Sequence, residues 1–411
     1  LTLMLGFLLI AVNLYAAGDL IVEGNVGIGT TTPGSKLDVA GDIKGTGGLW
    51  LNGTTGSTPT SGAGTRLMWI PAQRAFRAGA VNGTQWDDAN IGFHSVAFGY
   101  NNTASGYASF ASGIGVTASG GYAVATGDSV TVSGTQSFGV GYQVTVSGNS
   151  SFGLGNYVVV SGNGSFGAGE ATGYTATDYI QASGAGSFAG GEAISNYSNG
   201  TDGIHATGNG SFAWGIVDDF ETIVASGISS MAIGRNLSAT ADYAYAFGRD
   251  FTNSTTDSFA IGFGQIDLLV TGGNVGIGTT APTQKLDVAG TVNASGGYTQ
   301  VSDVKFKKDI TAIESPLNKI LNIKGVSYSF KTDEYKEMGF SEGTHYGVIG
   351  QEVEKVLPEV VKESPNGEKS VSYTELIPVL IEAVKEQQKM IEELKAEVRQ
   401  LKAKDLVAKS Q

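Results

Sequence analysis

A pattern of apolar and small residues repeats every fourteen positions through the middle of the chain. One unit, residues 137–148, contains two short alternating runs, each closed by small residues. Alternation with a period of two predicts β-strands, and the small residues between them predict tight turns. Glycines and Ser-Gly pairs mark the period: Gly99, Gly113, Gly127, Gly141, Gly155 and Gly169, with pairs beginning at Ser105, Ser119, Ser133, Ser147 and Ser161.

A fixed period over so many units predicts a stack of coils that present the same residues to one another. Glycine at one position predicts a left-handed backbone or a close approach that leaves no room for a side chain. The residue three positions before each glycine is apolar, and we expect it to point inward in every coil: Val96, Phe110, Val124, Phe138, Phe152 and Phe166. The predicted fold is mainly β, a parallel β-roll or β-helix-like fibre with fourteen-residue coils.

The period loosens after residue 169 but is not lost. Matching glycines continue at Gly191, Gly215, Gly234, Gly248 and Gly262. The three longer intervals place insertions at residues 170–184, 192–206 and 216–226. Such insertions form loops on one face of a stack, often the binding face. They predict either a surface for a glycan or protein receptor on a cell, or tolerated decoration, because long loops add little closure entropy.

Composition narrows the possible partners and chemistry. The chain has 411 residues, no Cys and a formal net charge of −13, which speaks against a nucleic-acid partner. The absence of Cys excludes a disulfide framework and a Cys-based metal site. His94, His205 and His345 are scattered and lack the spacing of a metal site. We therefore expect neither a metal nor a cofactor.

The two ends of the repeats share a segment. Residues 24–41 and 273–290 both contain Gly-Asn-Val-Gly-Ile-Gly-Thr-Thr followed by Lys-Leu-Asp-Val-Ala-Gly, which predicts a structural module used twice. Between the first copy and the repeats, Trp69 and Trp86 are expected to pack in a small collar rather than to stack on a ligand. Residues 1–15 are almost wholly apolar, which predicts a secretory signal or a membrane anchor.

The chain accordingly divides into six segments: a signal or anchor (1–18), a β module (19–65), the collar (66–93), the repeat shaft (94–265), a second β module (266–300) and a carboxy-terminal domain (301–411).

The carboxy-terminal domain has a different pattern. Its sequence predicts a helical stretch to about residue 323, a strand over residues 325–330 and one long helix after Tyr373. That helix carries a heptad seam: Ile377, Val384, Ile391 and Val398 at one position, and Leu380, Gln387, Leu394 and Leu401 at the other. A sustained heptad predicts a coiled coil, and the polar Gln387 leaves the number of helices open.

Spaced motifs in this domain carry a resemblance. They are Ser302-Asp303 with Lys307-Lys308-Asp309-Ile310, then Gly347-Val348-Ile349-Gly350-Gln351-Glu352-Val353, Pro358-Glu359-Val360-Val361 and Val371-Ser372-Tyr373. In this order they resemble the intramolecular chaperone domain of phage tail spikes and fibres, the endosialidase type or peptidase S74, although Gly350 stands where alanine is expected. Residues 93–265 separately resemble the head repeats of trimeric autotransporter adhesins.

The chaperone resemblance implies a homotrimer and one self-cleavage after assembly. Carried over by position, Ser302 is the nucleophile, Lys307 is its base, and the bond between Val301 and Ser302 is cut, with Asp303 in a supporting role. A serine hydroxyl can attack the preceding carbonyl if a neutral amine accepts its proton. A lysine is neutral near pH 7 when it is desolvated or lies beside other cations.

Three functions remain open on this basis. The first is an exported, cell-surface homotrimeric fibre or adhesin that removes its own chaperone, which residues 1–15 favour because virion parts assemble in the cytoplasm. The second is a receptor-binding tail fibre or spike of a phage virion. The third is a polysaccharide-degrading enzyme, which needs paired carboxylates; Asp218, Asp219 and Glu221 lie together, but acidic loops are usually solvated. Beyond a single self-cleavage we expect no enzymatic turnover.

Overall fold

The computed structural model describes residues 24–51, 53, 55–172, 179–194, 203–218, 221–364 and 366–409. The chain forms two compact units, residues 1–54 and 55–411. In the first unit, β1 (Val26–Ile28) and β2 (Leu37–Val39) pair in parallel, with Val26 opposite Leu37. The other described elements belong to the second unit.

The second unit begins with an antiparallel hairpin of β3 (Gly64–Ile70) and β4 (Ala75–Val81). A long stack follows, with strands β5 (Val96–Tyr100), β6 (Thr103–Ala104), β7 (Phe110–Ile114), β8 (Thr117–Ala118), β9 (Val124–Asp128), β10 (Thr131–Val132), β11 (Phe138–Tyr142), β12 (Thr145–Val146), β13 (Phe152–Asn156), β14 (Val158–Val160), β15 (Phe166–Thr172), β16 (Tyr179–Ala182), β17 (Phe188–Ile194), β18 (Gly203–Ala206), β19 (Phe212–Val217), β20 (Thr222–Ala225), β21 (Met231–Ala239), β22 (Ala244–Asn253) and β23 (Ser258–Phe263). We call this stack the roll.

Two parallel ladders form the roll. The odd-numbered strands β5 to β19 pair with one another and make the long-strand ladder, while the even-numbered strands β6 to β20 pair with one another and make the short-strand ladder. Strand β21 pairs with both β19 and β20, so it belongs to both ladders, and β22 continues alongside it. The prediction of a mainly β, parallel stack is therefore confirmed.

The strand register confirms the period, including its continuation past the insertions. The marker glycines stand opposite one another from Gly99 to Gly262. From Gly99 to Gly248 their φ angles lie between +107° and +158°. A Cβ on any of these would also overlap the carbonyl oxygen of the glycine one coil further on. Both predicted reasons for glycine, a positive φ angle and a close approach of backbone, therefore apply at these positions.

The core of the roll lies between the two ladders and is built from small residues. Ala97, Ala111 and Ala125 of the long-strand ladder are fully buried, as are the inward-facing valines of the short-strand ladder, such as Val132 and Val146. Where the short-strand ladder carries valine, glycine can take the facing position: a Cβ on Gly153 would lie 2.7 Å from Cγ2 of Val146. The residue sizes on the two sides are thus matched.

We predicted that the apolar residue three positions before each marker glycine points inward, and this is wrong for the single chain. These residues are half-buried, and the fully buried position is the next one along each strand, because successive side chains point to opposite faces. The phenyl rings stack on those of neighbouring coils, with 4.9 Å between the centroids of Phe138 and Phe152 and 5.2 Å between Phe152 and Phe166. They form a continuous row on the outside of the roll.

A buried serine before each ring explains the Ser-Phe signature. Ser137 Oγ donates to the carbonyl of Gly148 at 2.7 Å, and Ser151 Oγ donates to that of Gly162 at 2.8 Å. These two serines thus each satisfy a turn carbonyl in the next coil.

The hairpin closes the amino-terminal end of the roll, since β4 pairs in parallel with β5. Trp86 is fully buried and its Nε1 donates to the carbonyl of Asn102 at 2.9 Å, which confirms core packing for this residue. Trp69 is 37% exposed and lies opposite Phe76, so core packing is wrong for a large part of its ring.

Arg77 is an unexpected buried residue at the amino-terminal end of the roll. Its fully buried guanidinium donates to the carbonyls of Ser95 and Ala104, both at 3.0 Å. Burial lowers the pKa of Arg77 to about 10. The sequence did not indicate this role, because an isolated arginine without an acidic partner carries no pattern.

At the other end, β24 (Ile266–Thr271) pairs antiparallel with both β23 and β25 (Asn274–Ile277), and β26 (Leu286–Val288) pairs in parallel with β25. The β25–β26 pair repeats the geometry of β1–β2. In both copies an asparagine Nδ2 donates to a proline carbonyl at 3.1 Å, from Asn25 to Pro33 and from Asn274 to Pro282. The repeated sequence therefore encodes the same local structure twice.

The carboxy-terminal domain contains α1 (Pro316–Leu321), β27 (Gly325–Tyr328), β28 (His345–Val348), α2 (Gly350–Val353), β29 (Val361–Glu363), β30 (Lys369–Val371) and α3 (Tyr373–Lys409). The long helix is confirmed. The predicted helix before residue 323 is shorter than expected and begins at Pro316, because Ser315 adopts a left-handed conformation (φ +47°) and proline suits a first helical position. The predicted strand ends at Tyr328, two residues early.

Candidate functional site

A single 3-10 turn brings Ser302 and Lys307 together at the start of the carboxy-terminal domain. The turn spans Val304–Phe306, and Lys307 Nζ donates a hydrogen bond to Ser302 Oγ at 2.6 Å. The peptide bond between Val301 and Ser302 directly precedes this contact. A hydroxyl and an amine at this distance can exchange a proton, which is the geometry that a nucleophile and its base need.

Asp303 caps this turn. Its Oδ1 accepts a hydrogen bond from the backbone N–H of Lys305 at 3.0 Å, and its Oδ2 lies 3.6 Å from Lys305 Nζ. Aspartate is favoured at this position because its carboxylate satisfies a backbone N–H at the start of a helical turn. Asp303 therefore supports the turn that holds Lys307 beside Ser302.

Ser302 and Lys307, which we call the dyad, lie on a segment that is exposed in the single chain. Val301 is 81% and Phe306 is 69% exposed, and Ser302 and Lys307 are exposed as well. A lysine loses its proton most readily when it is removed from water. The single chain thus supplies the hydrogen bond of the dyad but not the burial that would favour a neutral amine.

The remaining motifs of the domain contact one another. Tyr373 Oη accepts a hydrogen bond from the N–H of Val348 at 3.2 Å, and a Cβ on Gly347 would lie 2.6 Å from that oxygen. A Cβ on Gly350 would lie 3.2 Å from Lys369 Cβ, so the alanine of the family pattern would need only a small adjustment here.

Helix α3 carries two apolar stripes. Leu376, Val379 and Ala383 form a buried stripe against the rest of the domain. The predicted seam is exposed: Ile377, Leu380, Val384, Ile391, Leu394, Val398 and Leu401. An exposed heptad seam on a helix of 37 residues is typical of one strand of a coiled coil. The sequence indicated the seam, but the buried stripe was missed although its three-four spacing is visible.

The long-strand ladder is continued at its two ends by β4 and by β22 and β23, and we include these strands in its outer face from here on. This face is apolar over much of the roll. Its first row is Phe76, Val96, Phe110, Val124, Phe138, Phe152, Phe166, Phe188, Phe212, Met231, Tyr245 and Phe259, and its second row includes Phe98, Val140, Leu154, Trp214, Ile233, Phe247 and Ile261. The outer row of the short-strand ladder begins instead with Thr103, Thr117, Thr131 and Thr145. This row is mostly polar further along as well, with Val159 and Val224 as its apolar members. The long-strand ladder therefore has the more apolar outer face, and a large apolar face marks an interaction surface.

The predicted insertions lengthen successive strands of the roll. Strands β15, β17 and β19 extend to Thr172, Ile194 and Val217, and residues 173–178, 195–202 and 219–220 lie outside the described residues. The three insertions belong to consecutive coils, because β15 pairs with β17 and β17 pairs with β19. Their strands therefore lie next to one another.

The acidic residues of the third insertion are held by an arginine. Arg235 donates two hydrogen bonds to Glu221, at 2.7 and 2.8 Å, and lies 3.8 Å from Asp218. The hydrogen bond from Arg235 lowers the pKa of Glu221, and the same contact raises that of Arg235. Asp219 lies outside the described residues. The two described carboxylates share one cation, which is typical of a structural ion-pair network.

The three histidines pack against aromatic rings in different parts of the chain. The ring centroids of His94 and Tyr107 lie 5.3 Å apart, as do those of His205 and Tyr179. His345 packs against the rings of residues 328 and 330. Burial lowers the pKa of His205. Within the described ranges, no group of three or more His, Asp or Glu residues is arranged to hold a metal ion.

The predicted signal or anchor, residues 1–18, lies outside the part of the chain that the structure describes. Of the helices that are described, none is both long and apolar enough to cross a membrane. A secretory signal or membrane anchor at residues 1–18 therefore stays a prediction from the sequence.

Comparison with known proteins matches the carboxy-terminal domain to a recognised family. The family described as the chaperone of endosialidase matches residues 302–362, a range that begins at Ser302 and includes Lys307. Long tail fiber protein Gp37 of Salmonella phage S16 is 35% identical over 104 residues, 25% of this chain and 14% of that protein. Gp37 of Escherichia phage AR1 is 34% identical over 87 residues, 21% of this chain and 8% of that protein.

A relative of a different kind also matches. Myelin gene regulatory factor-like A of Dictyostelium discoideum is 30% identical over 118 residues, 28% of this chain and 12% of that protein. The chain thus spans only a small part of the length of each of these relatives. The similarity therefore concerns one shared segment of 87 to 118 residues and not the remainder of each protein.

Proposed function

Since the chain carries a carboxy-terminal chaperone domain of the endosialidase family, we propose that it is the subunit of a homotrimeric fibre that removes this domain after assembly. The relatives named long tail fiber proteins favour a fibre on a virion. The apolar residues 1–15 favour an exported, adhesin-like fibre on a cell surface. Both versions share one architecture and one assembly route, and both place the fibre outside the cell.

The apolar outer face of the long-strand ladder carries this proposal. Its first apolar row, mostly aromatic, extends from Phe76 to Phe259 and is left half-exposed by the single chain. Further copies of the chain are the occupant that fits, since the same row on each copy has the same spacing. The exposed seam of α3 is a second apolar surface that further copies would bury. Burial of both would contribute about 25 cal/mol per Å² of apolar area.

A chaperone at one end solves a register problem. Coils of nearly identical sequence pack almost equally well when three chains slip by one coil, and non-local pairing is slow. A coiled coil at residues 373–409 aligns the chains before the rolls pack. Once the chaperone is cut away, chains that unfold cannot easily find the register again. The fibre is then held by its unfolding barrier.

The proposed self-cleavage uses the Ser302–Lys307 contact in two steps. Ser302 Oγ attacks the carbonyl carbon of Val301 while Lys307 accepts the hydroxyl proton; the C–N bond breaks, the amine of Ser302 takes up that proton, and an ester remains. Water then hydrolyses the ester, which gives a carboxylate on Val301 and restores the Ser302 hydroxyl. We propose that packing of the three chains buries Lys307 and so favours its neutral form.

Two matched variants test the interface. Phe152→Glu puts a charge in the apolar row, whereas Thr145→Glu puts the same charge on the outer face of the short-strand ladder. Glutamate is compatible with these strands, since Glu170 and Glu192 already lie on the long ones. Light scattering and the mass of the chain should find released trimeric shafts for Thr145→Glu, whereas Phe152→Glu should keep its chaperone attached, because packing of the rolls comes before release. Equal amounts of released trimeric shaft in both variants would exclude this face as the interface.

We also propose that the insertions bind the receptor, a glycan or protein on a cell surface. This is supported by the strands that flank them, which lie next to one another on three neighbouring coils. Replacement of residues 195–202 by a short Gly-Ser linker should abolish attachment to the receptor-bearing cell and leave assembly intact. Attachment at the original level would contradict this assignment.

A further inference from the structure

The segment that contains the dyad is tethered at both ends. On its carboxy-terminal side, Ile313 packs against the domain core around Val353 and Leu376. On its amino-terminal side, Gln300 Nε2 donates a hydrogen bond to Thr374 Oγ1 at 3.2 Å, across 74 positions of sequence. Residues 301–312 between these two points are exposed. The Gln300–Thr374 contact is thus the tether beside the bond that would be cut.

The Thr374 end of this tether is firmly placed. Thr374 is the second residue of α3, between Tyr373, whose Oη accepts from the N–H of Val348, and Glu375, whose N–H donates to the carbonyl of Ser372 at 3.0 Å. Two residues further on, Leu376 is buried in the domain core. The first turn of α3 therefore offers a fixed point to which Gln300 can be held.

The same turn leads directly into the surface through which chains would assemble. The exposed seam of α3 begins at Ile377, about one helical turn after Thr374. Packing of this seam against other copies restrains the start of the helix. A restraint on Thr374 is passed to Gln300 and from there to the neighbouring residue Val301.

We infer that the Gln300–Thr374 hydrogen bond is a positioning contact that couples the Val301–Ser302 bond to the assembly helix. The inference rests on the proposed self-cleavage. The Ser302–Lys307 contact spans five residues of sequence and has no link to the helix that carries the seam. The Gln300–Thr374 contact has such a link, so burial of the seam by other copies would restrain the residue next to Val301.

Near-isosteric variants test this role in the full chain. Thr374→Val removes the hydroxyl and Gln300→Met removes the amide, each with little change in shape. Each should slow the release of residues 302–411 from assembled trimers about tenfold, the rate equivalent of one hydrogen bond. The double variant should be no slower than either single one, because both remove the same contact. Thr374→Ser keeps the hydroxyl and should cleave at the wild-type rate.

Native mass spectrometry of the uncleaved fraction separates positioning from folding. The fraction of trimer should be unchanged in all four variants. Wild-type cleavage rates in Thr374→Val and Gln300→Met would overturn the inference, as would slow cleavage that only follows a loss of trimer. A wild-type chain that stays whole, or Ser302→Ala that is still cut, would contradict the proposed dyad itself, so the two failures can be told apart.

Discussion

At the scale of single residues, glycine has two separate functions in the roll. Gly155 has a φ of +125°, and a Cβ there would overlap the backbone of Gly169, so both its conformation and its contacts exclude a side chain. Gly153, two residues earlier, has no such backbone restriction, and a Cβ there would meet only valine side chains, at 2.7 Å from Val146 and 3.0 Å from Val144. The first requirement comes from the backbone and the second from the neighbouring side chains.

This difference predicts which glycine can be rescued. Gly153→Ala should destabilise the roll by about 1–3 kcal/mol through overpacking, and addition of Val146→Ala should recover part of that loss. Gly155→Ala should be at least as damaging, and no change to a side chain should repair it. Urea unfolding followed by circular dichroism provides the comparison. Equal recovery by Val146→Ala in both backgrounds would contradict this account of the two glycines.

The cap of the dyad turn gives a second residue-scale prediction. Asp303→Ala removes the acceptor for the Lys305 N–H and should slow self-cleavage severalfold, since loss of an N-cap costs about 1 kcal/mol. Asp303→Asn keeps a good cap without the charge and should cleave close to the wild-type rate. The rate is read from the appearance of the released domain on denaturing gels. If Asn and Ala are equally slow, the carboxylate has a role beyond capping.

His205 predicts a weak dependence of stability on pH. Burial lowers its pKa below the usual 6.5, so the unfolded chain binds this proton first as the pH falls. Stability is kept above about pH 6.5 and falls below it, by at most about 1.4 kcal/mol per pH unit, until the lowered pKa is reached. His205→Gln, which copies Gln181 on the neighbouring strand, should reduce the difference in melting temperature between about pH 7.5 and about pH 5. An unchanged difference would rule out this residue as its source.

At the scale of elements, the two apolar stripes of α3 differ in burial. The stripe at residues 376, 379 and 383 is already buried in the single chain, whereas the seam from Ile377 to Leu401 is not. In the proposed assembly, α3 therefore joins the fold of one chain to the packing of several. The long-strand ladder has the same double character, with alanine or glycine facing its own core and aromatic rings facing outward.

A matched pair of charges tests the seam. Leu394→Asp places a carboxylate in the seam, and Ala396→Asp places one on the opposite side of the same helix. Only the first should prevent trimer formation and, with it, self-cleavage, as measured by light scattering and by the mass of the chain. Trimer loss in both variants would mean that charge on α3, rather than the seam, is responsible.

The sequence predicted the strands of the roll because the same steric condition applies locally in every coil. The marker glycines satisfy the same steric condition in every coil, so their spacing gave the register from Gly99 to Gly262. The direction of the aromatic rings was wrong because an apolar residue was assigned to the chain's own core, although it can equally face other copies. The resemblance indicated Ser302 and Lys307, but no pattern relates Gln300 to Thr374, because only the tertiary fold brings residues 74 positions apart together.

At the scale of the whole molecule, the parts form an assembly sequence. Between Gly99 and Gly169 the coils of the roll repeat almost without change, so these coils fix the register against other copies only weakly. The carboxy-terminal domain instead has a long seam and the Ser302–Lys307 contact at its boundary. The proposed order is alignment through α3, packing of the rolls, and release of the chaperone. Each step makes the next one possible, and the last makes the product hard to reverse.

The most direct test is the intact mass of the purified product under native and denaturing conditions, for the wild type beside Lys307→Ala. The account predicts a wild-type chain that ends at Val301 and is trimeric under native conditions, and a Lys307→Ala chain that is trimeric but retains residues 302–411. A full-length chain in both proteins, or a cut chain in Lys307→Ala, would contradict the self-cleaving fibre proposed here.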